Sequence, residues 1–233
     1  MCTQQNSFQK VFKALYSAFG PQRWWPAETP FEMMIGAILT QNTAWRNVEK
    51  AIENLKASGA FFPAALLDLA DDVLAEWIRP AGFFRVKTRR IKAFLSFFVT
   101  RYGGQVSQMR EQPAGRLRHE LLGVDGIGPE TADCILLYAL EKPSFVVDAY
   151  TRRIFGRLGM VDATAEYHDV QRQFEAALNR DPALFNEYHT LIVALGKAFC
   201  RPNPKCERCP LVSICPVGQG HPEDGFKRKP KEA

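Results

Sequence analysis

An all-α fold is what this sequence predicts, and three observations predict it. Apolar residues recur at three- and four-residue spacing along most of the chain, the period of an amphipathic helix. Proline or glycine punctuates most of the joints between these segments. Only one stretch, "PSFVVD", has the character of a strand, and it is short. The first segment, "FQKVFKALYSAF", lines up Phe8, Val11, Phe12, Leu15 and Phe19 on one stripe. "PFEMMIGAILTQ" opens with Pro30, which suits a first helical turn, and carries Glu32 near the positive end of the helix dipole. "NVEKAIENLKAS", "AALLDLADDVLAEWI", "VKTRRIKAFLSFFVTRY", "AGRLRHELLG" and "PETADCILLYAL" follow with the same period. "AYTRRIFGRLGM", "YHDVQRQFEAAL" and "PALFNEYHTLIVALGKAFC" complete a set of about ten helices. The tail "GQGHPEDGFKRKPKEA" is polar and rich in Gly, Pro and Lys, a composition that predicts disorder over 218–233.

The 233 residues, 46% hydrophobic and 24% charged, have the make-up of a globular protein large enough for one large or two small domains. No apolar run reaches the roughly 18 residues that span a bilayer. The polar start "MCTQQNSFQK" lacks the apolar stretch of a secretory signal, so a cytoplasmic location is expected. The formal charge of +5 permits a polyanionic partner without requiring one. Of six cysteines, Cys2 and Cys134 stand alone, while Cys200, Cys206, Cys209 and Cys215 crowd into the pattern C-x5-C-x2-C-x5-C. Four thiolates so close in sequence can enclose a cubane iron–sulfur cluster or a structural zinc ion. Zinc ribbons normally pair two C-x2-4-C knuckles across an insert, and this chain has one such pair.

Between two helical segments lies "GVDGIGPE". A P-loop would follow its glycines with Gly-Lys-Ser/Thr, and a dinucleotide fold would precede them with a strand; neither is present. A helix, a tight glycine hairpin and a second helix remain. Gly126 and Gly128 let backbone approach an anion closely, and amides at the second helix's start can donate to it. A duplex phosphate suits that geometry without any reading of bases.

"LLGVDGIGPETAD" followed by "VVDAY" resembles the helix-hairpin-helix and Gly/Pro-Asp signature of the endonuclease III superfamily of DNA glycosylases. The resemblance covers roughly residues 8 to 217. It implies two all-α domains with the active-site cleft between them. The central domain, 30–143, would hold the hairpin, and 1–29 with 144–217 would form the iron–sulfur domain. By the same resemblance, the hairpin binds a DNA phosphate and Asp148 is catalytic; an Asp there would also cap the "AYTRRIFGRL" helix. The cysteines resemble the family's 4Fe–4S loop, with one residue fewer between the first two. In "GAILTQNTAW", Gln41 would enter the duplex where a flipped base has left. "PAGFFRVKTRRIKAF" resembles the family's Gly-aromatic-x-x-Lys-Ala segment, with Arg85, Lys87, Arg89 and Arg90 as a basic face toward the DNA backbone.

The chain departs from endonuclease III before Thr131. The strand-cutting members carry a lysine there, in Gly-x-Gly-x-Lys-Thr-Ala, whose amine forms a Schiff base with the sugar. This sequence has Glu130, and a carboxylate cannot do so. A monofunctional glycosylase is therefore expected, with Asp148 stabilising positive charge at C1′ or activating water, and Glu130 at the pocket mouth. Trp24-Trp25-Pro26, "LTQNT" and the Glu-for-Lys exchange resemble the 3-methyladenine glycosylase branch. Cationic alkylated purines suit a pocket of flat electron-rich rings, which Trp24, Trp25 and Trp45 would supply. The implied partner is double-stranded DNA carrying a damaged base, met by a monomer that associates with the nucleoid. Uracil, mismatched thymine or oxidised pyrimidines as targets, a bifunctional lyase in which Lys142 or Lys197 supplies the amine, and non-catalytic damage binding are the alternatives.

Overall fold

A computed structural model describes residues 2–24, 27–162 and 164–220, with side chains from residue 6 onward. Trp25 and the tail beyond residue 220 lie outside the described residues. The fold is all-α: twelve α-helices and a few short 3-10 or π turns, with no strand among the described residues. None of these helices is long and apolar enough to cross a membrane. The contacts divide the chain into two compact units, Met1–Trp24 with Phe145–Ala233, and Trp25–Ser144.

The continuous unit is built around α2 (Pro30–Leu39), which is buried from Phe31 to Leu39. A helix apolar on every side belongs at the centre of a core. Thr29 caps it by accepting from the Glu32 amide at 3.1 Å, with Pro30 in its first turn. Against α2 pack α3 (Trp45–Ala57), α6 (Phe84–Tyr102), and α9 (Pro129–Cys134) with its continuation. Beyond Cys134 the helix widens into a π turn over Ile135–Ala139, closed by the Leu140 amide on the Ile135 carbonyl at 3.1 Å.

The segment 64–78 reads as one helix in the sequence, but it is two, α4 (Pro63–Asp68) and α5 (Asp71–Trp77). Leu69 turns to an extended conformation, ψ 147°, and the Lys92 ammonium of α6 supplies a donor to the freed carbonyls of Leu67 and Leu69. A tertiary donor thus makes a break that local periodicity cannot show. Helix α7 (Val106–Arg110) leads into α8 (Ala114–Leu122). The Arg118 guanidinium of α8 grips the fully buried carboxylate of Asp133 with two bonds, at 2.8 and 3.0 Å, and Ser144 Oγ adds a third at 2.6 Å.

The discontinuous unit joins α1 (Cys2–Phe19) to α10 (Ala149–Arg157), α11 (Tyr167–Ala177) and α12 (Pro182–Ala198). Its core is aromatic. The Phe174 ring stacks on Phe145 with centroids 4.1 Å apart, and meets Phe8 and Phe155 edge-on at 4.7 and 4.6 Å. "PSFVVD", strand-like in its β-branched residues, has no regular secondary structure, and there is no strand for it to pair with among the described residues. Side chains of α11 serve its backbone instead: Glu175 accepts from the Phe145 amide at 3.1 Å, and Gln171 donates to the Phe145 carbonyl at 2.8 Å.

Candidate functional site

In the continuous unit, the candidate site is the turn between α8 and α9. Gly126 sits at φ +80°, a left-handed conformation open to glycine, and a Cβ there would fall 2.2 Å from Cγ of Arg90. Gly128 is the N-cap residue of α9 and has no capping side chain; a Cβ on it would meet nothing within 4 Å. The backbone at Gly128 is therefore open to approach. Glu130 stands exposed in the first turn of α9, where a negative charge complements the helix dipole.

Gln41, at the end of α2, is drawn into this turn. Its Nε2 donates to the Gly126 carbonyl at 3.0 Å and to Thr131 Oγ1 at 2.9 Å, and its Oε1 accepts from Arg90. The expected duplex-entering side chain is thus held, in this structure, by the hairpin itself. The basic face of α6 needs one correction. Arg85 and Arg89 are exposed, but Lys87 is only 1% exposed and reaches no surface. Its ammonium donates to the Leu39 carbonyl at 2.7 Å, Thr43 Oγ1 at 2.6 Å and the Ala81 carbonyl at 2.8 Å. Burial and the nearby Arg90 charge push its pKa down to about 8. Lys87 binds the end of α2 to the loop before α6, and it is not a phosphate contact. Directly before that helix, Phe83 is 69% exposed at φ +46°. An exposed ring in a left-handed conformation breaks two local rules at once, and its sequence neighbours, all apolar or basic, gave no sign of it.

Trp45 is half-buried, its ring over Gly36, where a Cβ would lie 3.3 Å from it. It edges a pocket of about 230 Å³ between α2 and α3, whose other walls include Glu28, Glu32, Glu49 and Lys56. Lys56 pairs there with Glu28 at 2.9 Å and Glu32 at 2.8 Å.

In the discontinuous unit, Asp148 caps α10. Its Oδ1 accepts from the Thr151 amide at 2.7 Å and from Thr151 Oγ1 at 2.9 Å, while its Oδ2 stands 3.5 Å from His189 Nε2 of α12. Burial pushes this carboxyl's pKa up. The His189 imidazole beside it, together with the two Thr151 donors, outweighs burial and holds it below the ordinary value, so the group is an ionised carboxylate at neutral pH. A lone His in the apolar run "YHTLIVAL" gave no signal of this contact. Trp24, also half-buried, follows a segment anchored by α12: Glu187 accepts from the Gln22 amide at 2.5 Å and from the Arg23 amide at 3.2 Å.

Cys200, Cys206, Cys209 and Cys215 are half-buried free thiols at the end of this unit. Burial first, then the charges of the other cysteines, raises the thiols of Cys209 and Cys215, so the four are electrostatic neighbours. Arg157 of α10 donates to Cys200 Sγ at 3.3 Å and to the carbonyls of Arg201 and Pro202 at 2.7 and 3.0 Å. Among the described residues, no three His, Cys, Asp or Glu side chains are drawn into a group that could hold a metal ion. The donor set is nonetheless all sulfur with a guanidinium beside it, which suits an anionic thiolate cluster rather than a hard cation.

A glycine turn between two helices and, about twenty residues later, an aspartate capping a helix are the two features the chain shares with base excision repair glycosylases. The chain belongs to the HhH-GPD superfamily of base excision DNA repair proteins, whose family model matches residues 35–180. Among individual relatives, a Methanocaldococcus jannaschii protein provisionally assigned as a DNA repair glycosylase is 45% identical over 216 residues, covering 91% of this chain and 98% of that one. The H. pylori 3-methyladenine DNA glycosylase, solved bound to 1,N6-ethenoadenine, is 29% identical with a TM-score of 0.71, over 82% of this chain and 97% of that one. A non-covalent endonuclease III–DNA complex shares the fold at a TM-score of 0.80 and 22% identity, over 93% of this chain and 97% of that one.

Proposed function

We propose that this chain is a monofunctional DNA glycosylase that hydrolyses the N-glycosidic bond of an alkylated purine, such as 3-methyladenine, and leaves an abasic site. The observation that carries the reading is an ionised carboxylate at Asp148, held by Thr151, in a chain whose hairpin offers Glu130, not an amine, before Thr131. The target base must leave the duplex to be reached. Asp148 then stabilises the positive charge that grows at C1′ as the bond breaks, and orients or deprotonates the attacking water. A Schiff base requires a free amine, and Glu130 has none. Of the two lysines that could stand in, Lys142 donates to the Arg110 carbonyl at 2.5 Å, and Lys197 is an exposed residue in the last turn of α12.

An alkylated purine carries positive charge, so its glycosidic bond is already weakened and little acid catalysis is needed. Trp24, Trp25 and Trp45 serve as stacking surfaces for that cation. Similarity to the H. pylori enzyme and its bound etheno-purine supports this substrate class. Gly126 and Gly128 bring the hairpin backbone to a phosphate, Gln41 serves the duplex side of the flipped nucleotide, and Arg85 adds electrostatic affinity. Cys200, Cys206, Cys209 and Cys215 would hold a 4Fe–4S cluster, which organises the loop around them; Arg157 orients it from α10.

Base release from duplexes carrying 3-methyladenine or 7-methylguanine, beside uracil and oxidised-pyrimidine duplexes, tests the reading. The expected result is free methylated purine, strands cut only after alkali, and no adduct trapped by borohydride. Asp148→Asn should lose on the order of a hundredfold or more in rate. Release confined to pyrimidines, or a trapped covalent adduct, would overturn it.

A further inference from the structure

We infer that His189 is a positioning residue for the catalytic carboxylate: its Nε2, 3.5 Å from Oδ2 of Asp148, closes on that oxygen in the reacting complex while Thr151 holds Oδ1. This rests on the reading of Asp148 as the catalytic residue. A helix cap alone fixes only one oxygen of a carboxylate. Thr151 binds Oδ1 twice, at 2.7 and 2.9 Å, and that arrangement by itself leaves the second oxygen to rotate about the first. His189 Nε2 lies 3.5 Å from Oδ2, with the two side chains 10% and 13% exposed. That separation is longer than a fully formed hydrogen bond. Contacts of this kind in catalytic groups commonly tighten when substrate binds.

Two features of α12 bring the imidazole there. Gly196 stands seven residues after His189 and so shares its face of the helix. A Cβ on Gly196 would fall 2.1 Å from Cδ1 of Tyr150, so only glycine lets the Tyr150 ring, and with it the start of α10, close on α12. The same closeness sets His189 against the cap of α10. Glu187, two residues before His189, is committed to the amides of Gln22 and Arg23. A buried imidazole in an otherwise apolar run carries a desolvation cost that leucine at the same position would not. The carboxylate accounts for it. As a donor, the imidazole serves equally as the neutral Nε2–H tautomer or as the cation, and it takes no part in proton transfer. Its effect is on orientation: the carboxylate keeps one plane, facing the developing charge at C1′ instead of turning away.

Single-turnover base release and lesion-DNA affinity, measured for His189→Ala, His189→Gln and Asp148→Asn, test this. His189→Ala should release base about 10- to 100-fold more slowly, the loss of one hydrogen bond to a charged group, with Kd within about twofold of wild type. His189→Gln, whose Nε2 reaches where the imidazole Nε2 stands, should recover to within about threefold of wild type. An Ala variant as fast as wild type, a Gln variant no better than Ala, or a loss seen in Kd alone overturns the assignment. Failure of both variants to fold, by circular dichroism, also overturns it, since the residue is then structural. If instead Asp148→Asn releases base at the wild-type rate, the glycosylase reading of Asp148 itself has failed.

Discussion

The Nε2 of Gln41 lies 3.0 Å from the carbonyl oxygen of Gly126, joining the end of the central helix to a turn 85 residues further along the chain. Thr131 Oγ1 takes a second bond from the same amide, and Arg90 donates to its oxygen. One side chain thus fixes the hairpin's carbonyl, the first turn of the helix behind it, and a cation beside it. Glycine at 126 is what makes the arrangement possible, because the Arg90 side chain occupies the place of a Cβ.

Gly126→Ala should therefore damage the hairpin in two ways. The φ of +80° strains any residue with a Cβ, at about 1–3 kcal/mol, and the methyl would displace Arg90 from Gln41. Urea unfolding should show a loss in that range, and fluorescence anisotropy a tenfold or larger weakening of duplex binding. Gln41→Ala, which removes the bonds without straining the turn, should lose only about 1–2 kcal/mol.

Lys87→Met should destabilise the protein by about 3 kcal/mol. The substitution fills similar space but leaves the oxygens of Leu39, Ala81 and Thr43 without their donor. The wild type also has a pH signature. Its folded pKa near 8 lies below the ordinary 10.5, so between these values the unfolded chain binds more protons, and stability rises with pH. Thermal midpoints measured from pH about 7 to 10 should separate the two proteins further as pH increases. A gap that narrows would refute the burial argument.

The helices were legible where one face decides them: α1, α6 and α12 each follow a periodic apolar pattern. The hairpin glycines and the capping Asp148 were legible because special backbone and short polar side chains announce themselves locally. Lys87 was not, since a lysine in "VKTRR" looks like a solvated face until the end of α2 and the loop at Ala81 close around it. His189 and the break at Leu69 were hidden for a related reason. Each depends on a partner from a distant helix, Asp148 for one and Lys92 for the other.

Arg118→Ala should be among the most damaging substitutions in the continuous unit. It would leave the Asp133 carboxylate, which has no exposure, without its bidentate cation. Removing one partner of a buried pair costs about 3–5 kcal/mol, more than the pair itself contributes. Because the two residues join α8 to α9, the loss should be accompanied by faster amide exchange in the hairpin. Replacing Asp133 as well, by Asn, should recover part of the stability, and a double-mutant cycle measures how much.

The acid limb of stability should report Asp148. Burial alone would raise its pKa, but His189 and the two Thr151 donors hold it below the ordinary 3.8. The unfolded carboxyl therefore takes up its proton first as pH falls. The contribution is complete above about pH 5, begins to fall near the unfolded value and is lost as pH drops through the depressed folded value. Urea unfolding of wild type and Asp148→Asn at a series of pH values should show a stability difference that is constant above about pH 5 and shifts against the wild type below about pH 4. His189→Ala should shrink that shift, because removing the strongest of the groups that favour the charged form brings the folded pKa back toward the unfolded value. A difference that stays flat into the acid range would mean that the carboxylate is not held as the geometry of Thr151 and His189 requires.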